Sequence, residues 1–268
     1  MKEQDNNNTQ QLARPISGSG VVVLGGTAGV GFEAAAQFAE QGARVLILGR
    51  NDERGAAACE KLRQRVPKSE IGFVRVDATN ASDAVRAEAE CRERLGAIDI
   101  LACTTGPSAP PRLMHNIAIE DLQQRIEEIM LPPLHMVHAT LPAMRKQRSG
   151  AIVVVASDAG KIPTPGETMV GSAMGAILIY CKTAALEVKR ENVRINLLTP
   201  SLIAGTPGAE LIFNESFSAK MFEKASAMAH LGVADSADQA AMILYLASPA
   251  AQRMTGQAIS INGGISVI

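Results

Sequence analysis

Short runs of β-branched residues alternate with longer alanine-rich stretches along most of the chain, and this alternation limits the possible folds more than any other feature. It is typical of parallel strands joined by helical crossovers that cover both faces of a sheet. The sequence therefore predicts an α/β fold with a doubly wound sheet of about seven parallel strands. The predicted strands lie at 21–25, 44–48, 72–76, 98–102, 151–156, 194–198 and 258–261. The predicted helices lie near 29–41, 52–65, 81–95, 118–147, 168–190 and 235–247.

Length and composition favour one large domain. The chain has 268 residues, of which 47% are hydrophobic, and this is enough for a substantial single core. Residues 1–16 are rich in Asn and Gln, which bury little apolar surface, so we expect a flexible tail followed by one domain at 17–268. The segment 206–232 contains Met and Phe without a strand pattern, and we expect it to form a lid over a substrate site.

Charge and residue usage exclude several classes of partner. A formal net charge of -1 with 3% aromatic residues argues against a nucleic-acid partner. The polar N-terminus lacks the apolar segment of a secretion signal, and no uninterrupted apolar run reaches the ~20 residues of a membrane span. The four cysteines are widely spaced, which predicts neither a disulfide framework nor a metal site. We therefore expect a cytoplasmic protein without membrane or metal.

A glycine-rich turn follows the first predicted strand and leads directly into a helix. Glycines at such a turn let the backbone approach a pyrophosphate, which then lies at the positive N-terminus of the helix. The alternative, a tight turn without a ligand, is weakened by the strand before it and the helix after it. The sequence therefore predicts a Rossmann-type dinucleotide site. Its candidate residues in this turn are Gly25, Thr27, Gly29, Val30 and Gly31.

The end of the second predicted strand indicates which nicotinamide nucleotide would bind. NAD-binding sites place an acidic residue there to hold the ribose 2′-hydroxyl, but this chain has Gly49 followed by Arg50 and Asn51. A guanidinium suits a 2′-phosphate through its charge and its forked donors. The alternative is that Arg50 is solvated and simply precedes a helix capped by Asn51. We expect NADP(H) as the cofactor, with Arg50 and Asn51 at its 2′-phosphate.

Several further motifs occur in the same order as in a known family. Asp77 follows the third strand, the sequence NLLTPS occupies 196–201, Thr206 follows it, and MTGQ at 254–257 precedes NGG at 262–264. The chain thus resembles the classical short-chain dehydrogenase/reductases from 17 to 268. The resemblance implies oxidoreductase activity with a nicotinamide cofactor, Asp77 at the adenine, Thr206 at the carboxamide, and a homodimer or homotetramer. It adds as candidate cofactor contacts Ala78, Thr104, Gly106, Pro200 and Ile203.

The catalytic positions implied by this resemblance are largely changed. Family members use an Asn, Ser, Tyr and Lys set in which Tyr is the general acid–base and Lys tunes it. Here Ser157 remains, whereas Val170 and Met174 stand where Tyr and Lys are expected, and Met130 replaces Asn. The two tyrosines of the chain, Tyr180 and Tyr245, do not begin a Tyr-x-x-x-Lys motif. Loss of a positioned acid costs about 10²- to 10⁴-fold in rate.

Other residues could replace the missing groups. Ser157 can position a ligand oxygen, although it could equally cap the turn after its strand. Asp158, Lys161 and Glu167 lie on the loop that follows, where each is either solvated or able to reach a cleft. Lys161 ranks first because it could restore the lost positive charge. The candidate catalytic residues are therefore Ser157 and Lys161.

Three functions fit these observations. The first is an atypical NADP(H)-dependent oxidoreductase that transfers a hydride to or from a small organic substrate without the Tyr/Lys pair. The second is a catalytically silent protein of the same fold that binds a nucleotide or a partner. The third is a non-redox isomerase or cyclase. Hydride transfer would separate the first from the other two.

Overall fold

A computed structural model describes residues 14–268, and these residues form a seven-stranded sheet. All neighbouring strands are parallel, and their order is β3-β2-β1-β4-β5-β6-β7. The strands are β1 (Gly20–Leu24), β2 (Arg44–Gly49), β3 (Ile71–Arg75), β4 (Ile100–Cys103), β5 (Gly150–Val155), β6 (Val193–Leu198) and β7 (Ala258–Ile259). The predicted doubly wound fold is confirmed.

Eight α-helices connect or follow the strands in the described part of the chain. They are α1 (Gly29–Glu40), α2 (Asp52–Arg65), α3 (Ala81–Leu95), α4 (Leu122–Gln147), α5 (Thr168–Val188), α6 (Pro207–Phe213), α7 (Ser216–Met228) and α8 (Ser236–Ala247). The predicted helix at 118–147 begins later than expected, because 3-10 turns at Met114–Asn116 and Ile119–Asp121 precede α4.

The two faces of the sheet carry separate hydrophobic cores. Helices α1, α2 and α8 pack on one face, where Phe38 and Leu62 are fully buried. Helices α3, α4 and α5 cover the other face, where Met136 and Ile177 are buried. Residues of the central strands alternate between the two cores, as expected for a sheet with both faces covered.

The strand order determines where a ligand can bind. The chain runs outward from β1 to β3 and then returns to β4 on the other side of β1. The connections therefore leave β1 and β4 in opposite directions, which opens a crevice at the carboxyl ends of these strands. The glycine-rich turn after β1 and the loop after β4 lie at this crevice.

Two segments that were predicted to lie outside the core, the N-terminal tail and the lid, are partly or wholly described by the structure. Most of the predicted tail lies outside the described residues, but Ile16 is buried in a core and Arg14 pairs with Asp99 at 2.9 Å. The predicted lid segment contains two helices, α6 and α7, although no helix was predicted there.

One segment, Thr168–Glu191, is apolar and long enough to span a membrane by length and composition alone. Its inner face is buried against the sheet.

Candidate functional site

A cleft of about 430 Å³ opens at the carboxyl ends of the parallel strands. Its walls are the glycine-rich turn, the ends of β2 and β3, the loop after β4, the start of α5 and the segment that contains α6 and α7. One end is apolar, and we call it the apolar end: it is lined by Val155, Val170, Met174, Leu202 and Phe222. The other end lies beside β2 and β3 and carries the charged residues Arg50, Arg54, Asp77 and Glu128.

The glycine-rich turn has no room for larger side chains. Gly25 has a φ of +80°, a conformation that side chains other than glycine rarely adopt. A Cβ at Gly31 would lie 2.4 Å from both the Gly25 carbonyl oxygen and Thr104 Oγ1. Thr104 Oγ1 in turn donates to the Leu24 carbonyl at 2.8 Å. The close approach of turn, loop and helix therefore requires glycine at both positions.

Thirteen of the fourteen residues predicted to bind the cofactor line this cleft, and the fourteenth, Gly31, lies directly behind the turn. The thirteen are Gly25, Thr27, Gly29, Val30, Arg50, Asn51, Asp77, Ala78, Thr104, Gly106, Pro200, Ile203 and Thr206. Beside them, Thr105 Oγ1 is buried and has no hydrogen-bond partner among the described residues. A buried hydroxyl without a partner in the wall of a cleft is suited to a polar ligand. The residues present thus fit a dinucleotide.

Two arginines flank the end of β2. Arg50 follows the strand, and Arg54 lies one helical turn further on in α2. Asn51 lines the cleft and also caps α2, because its Oδ1 accepts from the Arg54 main-chain N–H at 2.8 Å. Arg54 was not predicted as a site residue, although its spacing of four residues from Arg50 is a usable signal in the sequence. Both guanidinium groups are exposed and can reach an anion in the cleft.

Other predicted contacts are held by local hydrogen bonds. Asp77 Oδ1 accepts from Thr79 Oγ1 at 2.7 Å, which fixes the loop after β3. Thr206 Oγ1 accepts from the Ala209 N–H at 3.2 Å and so caps α6. Ser108 Oγ donates to Glu128 at 2.6 Å, and this bond lowers the Glu128 pKa. The loop after β4 is thereby tied to α4 at the charged end of the cleft.

Ser157 lines the cleft at the end of β5. Its Oγ accepts from the Ala159 N–H at 3.2 Å, which is the capping role that the sequence left open. That bond uses the oxygen and not the hydroxyl proton, so Ser157 can still donate to a ligand. Both roles proposed for Ser157 are therefore compatible.

Lys161 does not line the cleft, and this placement departs from its predicted catalytic role. Its Nζ donates to Ser260 Oγ at 2.8 Å and to the main-chain oxygen of Ile268, and it lies 3.6 Å from Asp158 Oδ1. These bonds turn the ammonium towards the C-terminal segment, which follows β7. The positive charge thus serves the packing of the C-terminal segment instead of replacing the expected active-site lysine.

Asp158 is also directed towards the C-terminal segment. Its buried carboxylate accepts hydrogen bonds from Ser260 Oγ at 2.8 Å, from Ser266 Oγ at 2.7 Å and from Asn262 Nδ2. All three partners lie more than a hundred residues later in the chain. Asp158 is therefore a structural anchor.

Replacing Asp158 with alanine is expected to lower the free energy of unfolding by about 2–4 kcal/mol, because it removes three hydrogen bonds to a buried charge. Urea unfolding monitored by circular dichroism measures this change. Glu223→Ala, which removes an exposed carboxylate on α7, is the control and should change stability by less than about 0.5 kcal/mol. Equal effects of the two substitutions would contradict the anchoring role.

Glu167 is the third loop residue that the sequence singled out, and it does line the cleft. It immediately precedes α5 and is partly buried. Burial raises the pKa of its carboxyl group to about 7, a hydrogen bond to Thr164 opposes this, and the negative charge of Asp158 adds to it. Of the three loop candidates, the structure therefore brings only Glu167 into the cleft.

Comparisons with known proteins bear on the whole domain. A family model described as enoyl-(acyl carrier protein) reductase matches residues 25–266. The 3-oxoacyl-(acyl-carrier-protein) reductase FabG of Chlamydia pneumoniae is 30% identical over 251 residues, which cover 94% of this chain and 98% of the relative. The chain belongs to the classical short-chain dehydrogenase/reductase family. This family assignment supports an oxidoreductase function.

Other relatives of this family have different substrates in their names. Momilactone A synthase of Oryza sativa subsp. japonica is 28% identical over 260 residues, covering 96% of this chain and 93% of the relative. Among solved structures, levodione reductase superposes with a TM-score of 0.87 at 21% identity, covering 94% of this chain and 98% of that chain. A variant of actinorhodin polyketide ketoreductase with NADPH gives a TM-score of 0.84 at 24% identity, with the same coverage of both chains. These structures share the fold.

The fold places two of the three changed catalytic positions in the cleft wall, whereas Met130 does not line the cleft. Val170 and Met174, which stand where the family resemblance implies Tyr and Lys, are 9% and 2% exposed and line the apolar end. Tyr180 and Tyr245 do not line the cleft. Cys103, at the end of β4, is buried, and burial raises the pKa of its thiol. None of these side chains can take over proton transfer at the site.

Proposed function

We propose that this protein is an NADP(H)-dependent oxidoreductase that transfers a hydride between the nicotinamide and a small organic substrate without a Tyr/Lys pair. The observation that carries the proposal is the cleft that joins the glycine-rich turn, the arginines after β2 and a separate apolar end. The two alternatives, a silent nucleotide-binding protein and a non-redox isomerase or cyclase, share the first two features. Neither alternative would transfer a hydride, and this separates both from the proposed oxidoreductase.

The chain would hold the cofactor mainly through its backbone and two arginines. The N–H groups of the turn and of α1 would bind the pyrophosphate, Arg50 and Arg54 the 2′-phosphate, and Thr206 the carboxamide. The reduced cofactor supplies a hydride when bound. The structural neighbour solved with NADPH, actinorhodin polyketide ketoreductase, supports the choice of nucleotide.

The apolar end would receive the substrate. Its residues exclude water and strengthen electrostatic interactions with the few polar groups present. Ser157 would hold a substrate oxygen, and the segment 206–232 would act as the lid because Leu211, Ile212 and Phe222 line the cleft. We therefore favour a largely apolar substrate with one polar reacting group.

Arg50→Ala is expected to remove most of the preference for NADPH. The guanidinium and the 2′-phosphate form a charge-assisted contact that NADH lacks, and its loss should reduce the NADPH/NADH affinity ratio about tenfold. Titration of nicotinamide fluorescence with each nucleotide measures the two affinities. Arg54→Ala should reduce the ratio less, because Arg54 lies one helical turn further from the end of β2 than Arg50.

Arg44→Ala is the matched control, since Arg44 lies at the start of β2, at the opposite edge of the sheet from the cleft. Its affinity ratio should equal that of the wild type. A ratio that is unchanged in Arg50→Ala would remove the basis for NADP(H) selectivity.

We further propose a cytoplasmic homodimer or homotetramer. Helix α5 exposes Ile179 and Leu186, whose exposed fractions are 67% and 63%. Large exposed apolar side chains on one helix favour burial against a second subunit. The small-molecule substrate remains the main partner in this proposal, with no nucleic acid and no membrane.

A further inference from the structure

Glu167 lies next to the space that the family tyrosine would fill. It precedes Val170 by three residues and Met174 by seven, so the three share one side of the start of α5, and all three line the cleft. Side chains on a helix lean towards its N-terminus. A long side chain at position 170 would therefore extend over the turn that contains Glu167. The Glu167 carboxyl group therefore lies in the same part of the cleft wall as the side chain at position 170.

The charged residues of the cleft are divided between its two ends. Arg50 and Asp77 follow β2 and β3, and Arg54 and Glu128 lie on α2 and α4, at the end assigned to the nucleotide 2′-phosphate and adenine. Glu128 accepts a hydrogen bond from Ser108 and lies near Arg50, and these contacts lower its pKa. Among the described residues that line the cleft, Glu167 is the only acidic side chain outside that end, so it is the one placed to offer a proton beside Ser157.

The surroundings of Glu167 keep the carboxyl group from being a permanent anion. Gly166, with a φ of +89°, places this turn against Phe217 of α7, and the Arg112 N–H donates to the Gly166 carbonyl at 2.9 Å. The Arg112 guanidinium is paired with Glu215. Lys161, the other nearby cation, is paired with Asp158. Neither cation forms an ion pair with Glu167, and its pKa of about 7 is consistent with this.

We propose that Glu167 is the acid–base residue of this active site, in place of the missing tyrosine. The inference rests on the proposed oxidoreductase function. In reduction, a bound reduced nicotinamide would supply a hydride to a carbonyl carbon of the substrate and would itself be oxidised, the C=O π bond would break, and the oxygen would take the proton of the Glu167 carboxyl group. The product is an alcohol. Glu167 is left as a carboxylate and regains a proton from water, and oxidation follows the same path in reverse.

Nucleotide binding tests this placement without a substrate. The oxidised nicotinamide ring is positively charged and the reduced ring is neutral, so a neighbouring carboxylate favours NADP⁺ over NADPH. Binding of NADP⁺ should therefore favour the deprotonated form of Glu167, and by linkage the NADP⁺/NADPH affinity ratio should rise with pH. We expect a rise of about threefold to tenfold between pH 6 and pH 8, measured by calorimetry. The 2′-phosphate is common to both nucleotides and cancels in the ratio.

Glu167→Gln should bind both nucleotides with a ratio that is constant across this pH range. Glu187→Gln, which neutralises an exposed carboxylate on the same helix, should retain the wild-type pH dependence. A rise that persists in Glu167→Gln, or a ratio that is already flat in the wild type, would overturn the role of Glu167 and leave the proposed function intact. Failure of the wild type to bind either nucleotide would instead refute the proposed function.

Discussion

Gly31→Ala is expected to weaken NADPH binding at least about 100-fold, or about 2.7 kcal/mol. The added Cβ would lie 2.4 Å from the Gly25 carbonyl oxygen, a main-chain atom, and from Thr104 Oγ1, which is held by its hydrogen bond to the Leu24 carbonyl. The helix must therefore move away from the turn, which displaces the N–H groups that would bind the pyrophosphate. Nicotinamide fluorescence titration gives the affinity, and circular dichroism shows whether the fold is retained.

Gly175→Ala is the matched control for this substitution. Gly175 lies within α5, and the nearest atom to an added Cβ is the Gly160 carbonyl oxygen at 3.7 Å. Alanine should be accepted there and should raise helix stability by up to about 1 kcal/mol. Wild-type NADPH affinity in Gly31→Ala would show that the turn does not bind the pyrophosphate.

Arg194→Ala is expected to lower the free energy of unfolding by about 3–5 kcal/mol. Arg194 is 7% exposed, and burial lowers the pKa of its guanidinium to about 10. The guanidinium donates to the carbonyls of Leu246 at 2.7 Å, Ala251 at 2.9 Å and Ala247 at 3.1 Å. Leu246 and Ala247 lie in the last turn of α8, where main-chain carbonyls have no hydrogen-bond partner within the helix. Alanine would leave several buried acceptors without donors.

Urea unfolding measures the effect of Arg194→Ala, and Arg253→Ala provides the comparison. Arg253 is exposed, so its replacement should change stability by less than about 0.5 kcal/mol. Arg194→Lys should recover only part of the lost stability, because an ammonium can reach fewer of the carbonyls than the planar guanidinium. A loss below about 1 kcal/mol in Arg194→Ala would contradict the capping role.

The features that were predictable from the sequence depend on local patterns. Strand and helix periodicity predicted the sheet, and the glycine-rich turn with Arg50 and Thr206 predicted residues that the structure places in the cleft. Helix α6 also had a local signal that was overlooked, because Thr206 is its N-cap and Pro207 its first residue. The largest difference in a boundary is at α4, where the 3-10 turn Ile119–Asp121 replaces the first turn of the helix predicted from residue 118.

The features that were not predictable depend on contacts between distant parts of the chain. Lys161 is a cation on a loop beside the catalytic positions, and its bonds to Ser260 and Ile268, 99 and 107 residues later, hold it away from the cleft. Glu167 could not be ranked above Lys161 as a catalytic candidate from the sequence, because the burial of a side chain at the start of a helix is a property of the packed structure. Arg194 likewise finds its partners 52 to 57 residues later.

The most direct test of the account is calorimetric titration of the wild-type protein with NADPH and with NADH. We expect both to bind, with NADPH about tenfold or more tighter, because in the proposed function Arg50 and Arg54 would meet the 2′-phosphate. Absence of binding of either nucleotide at millimolar concentration would contradict the account and leave a cleft that serves a different ligand.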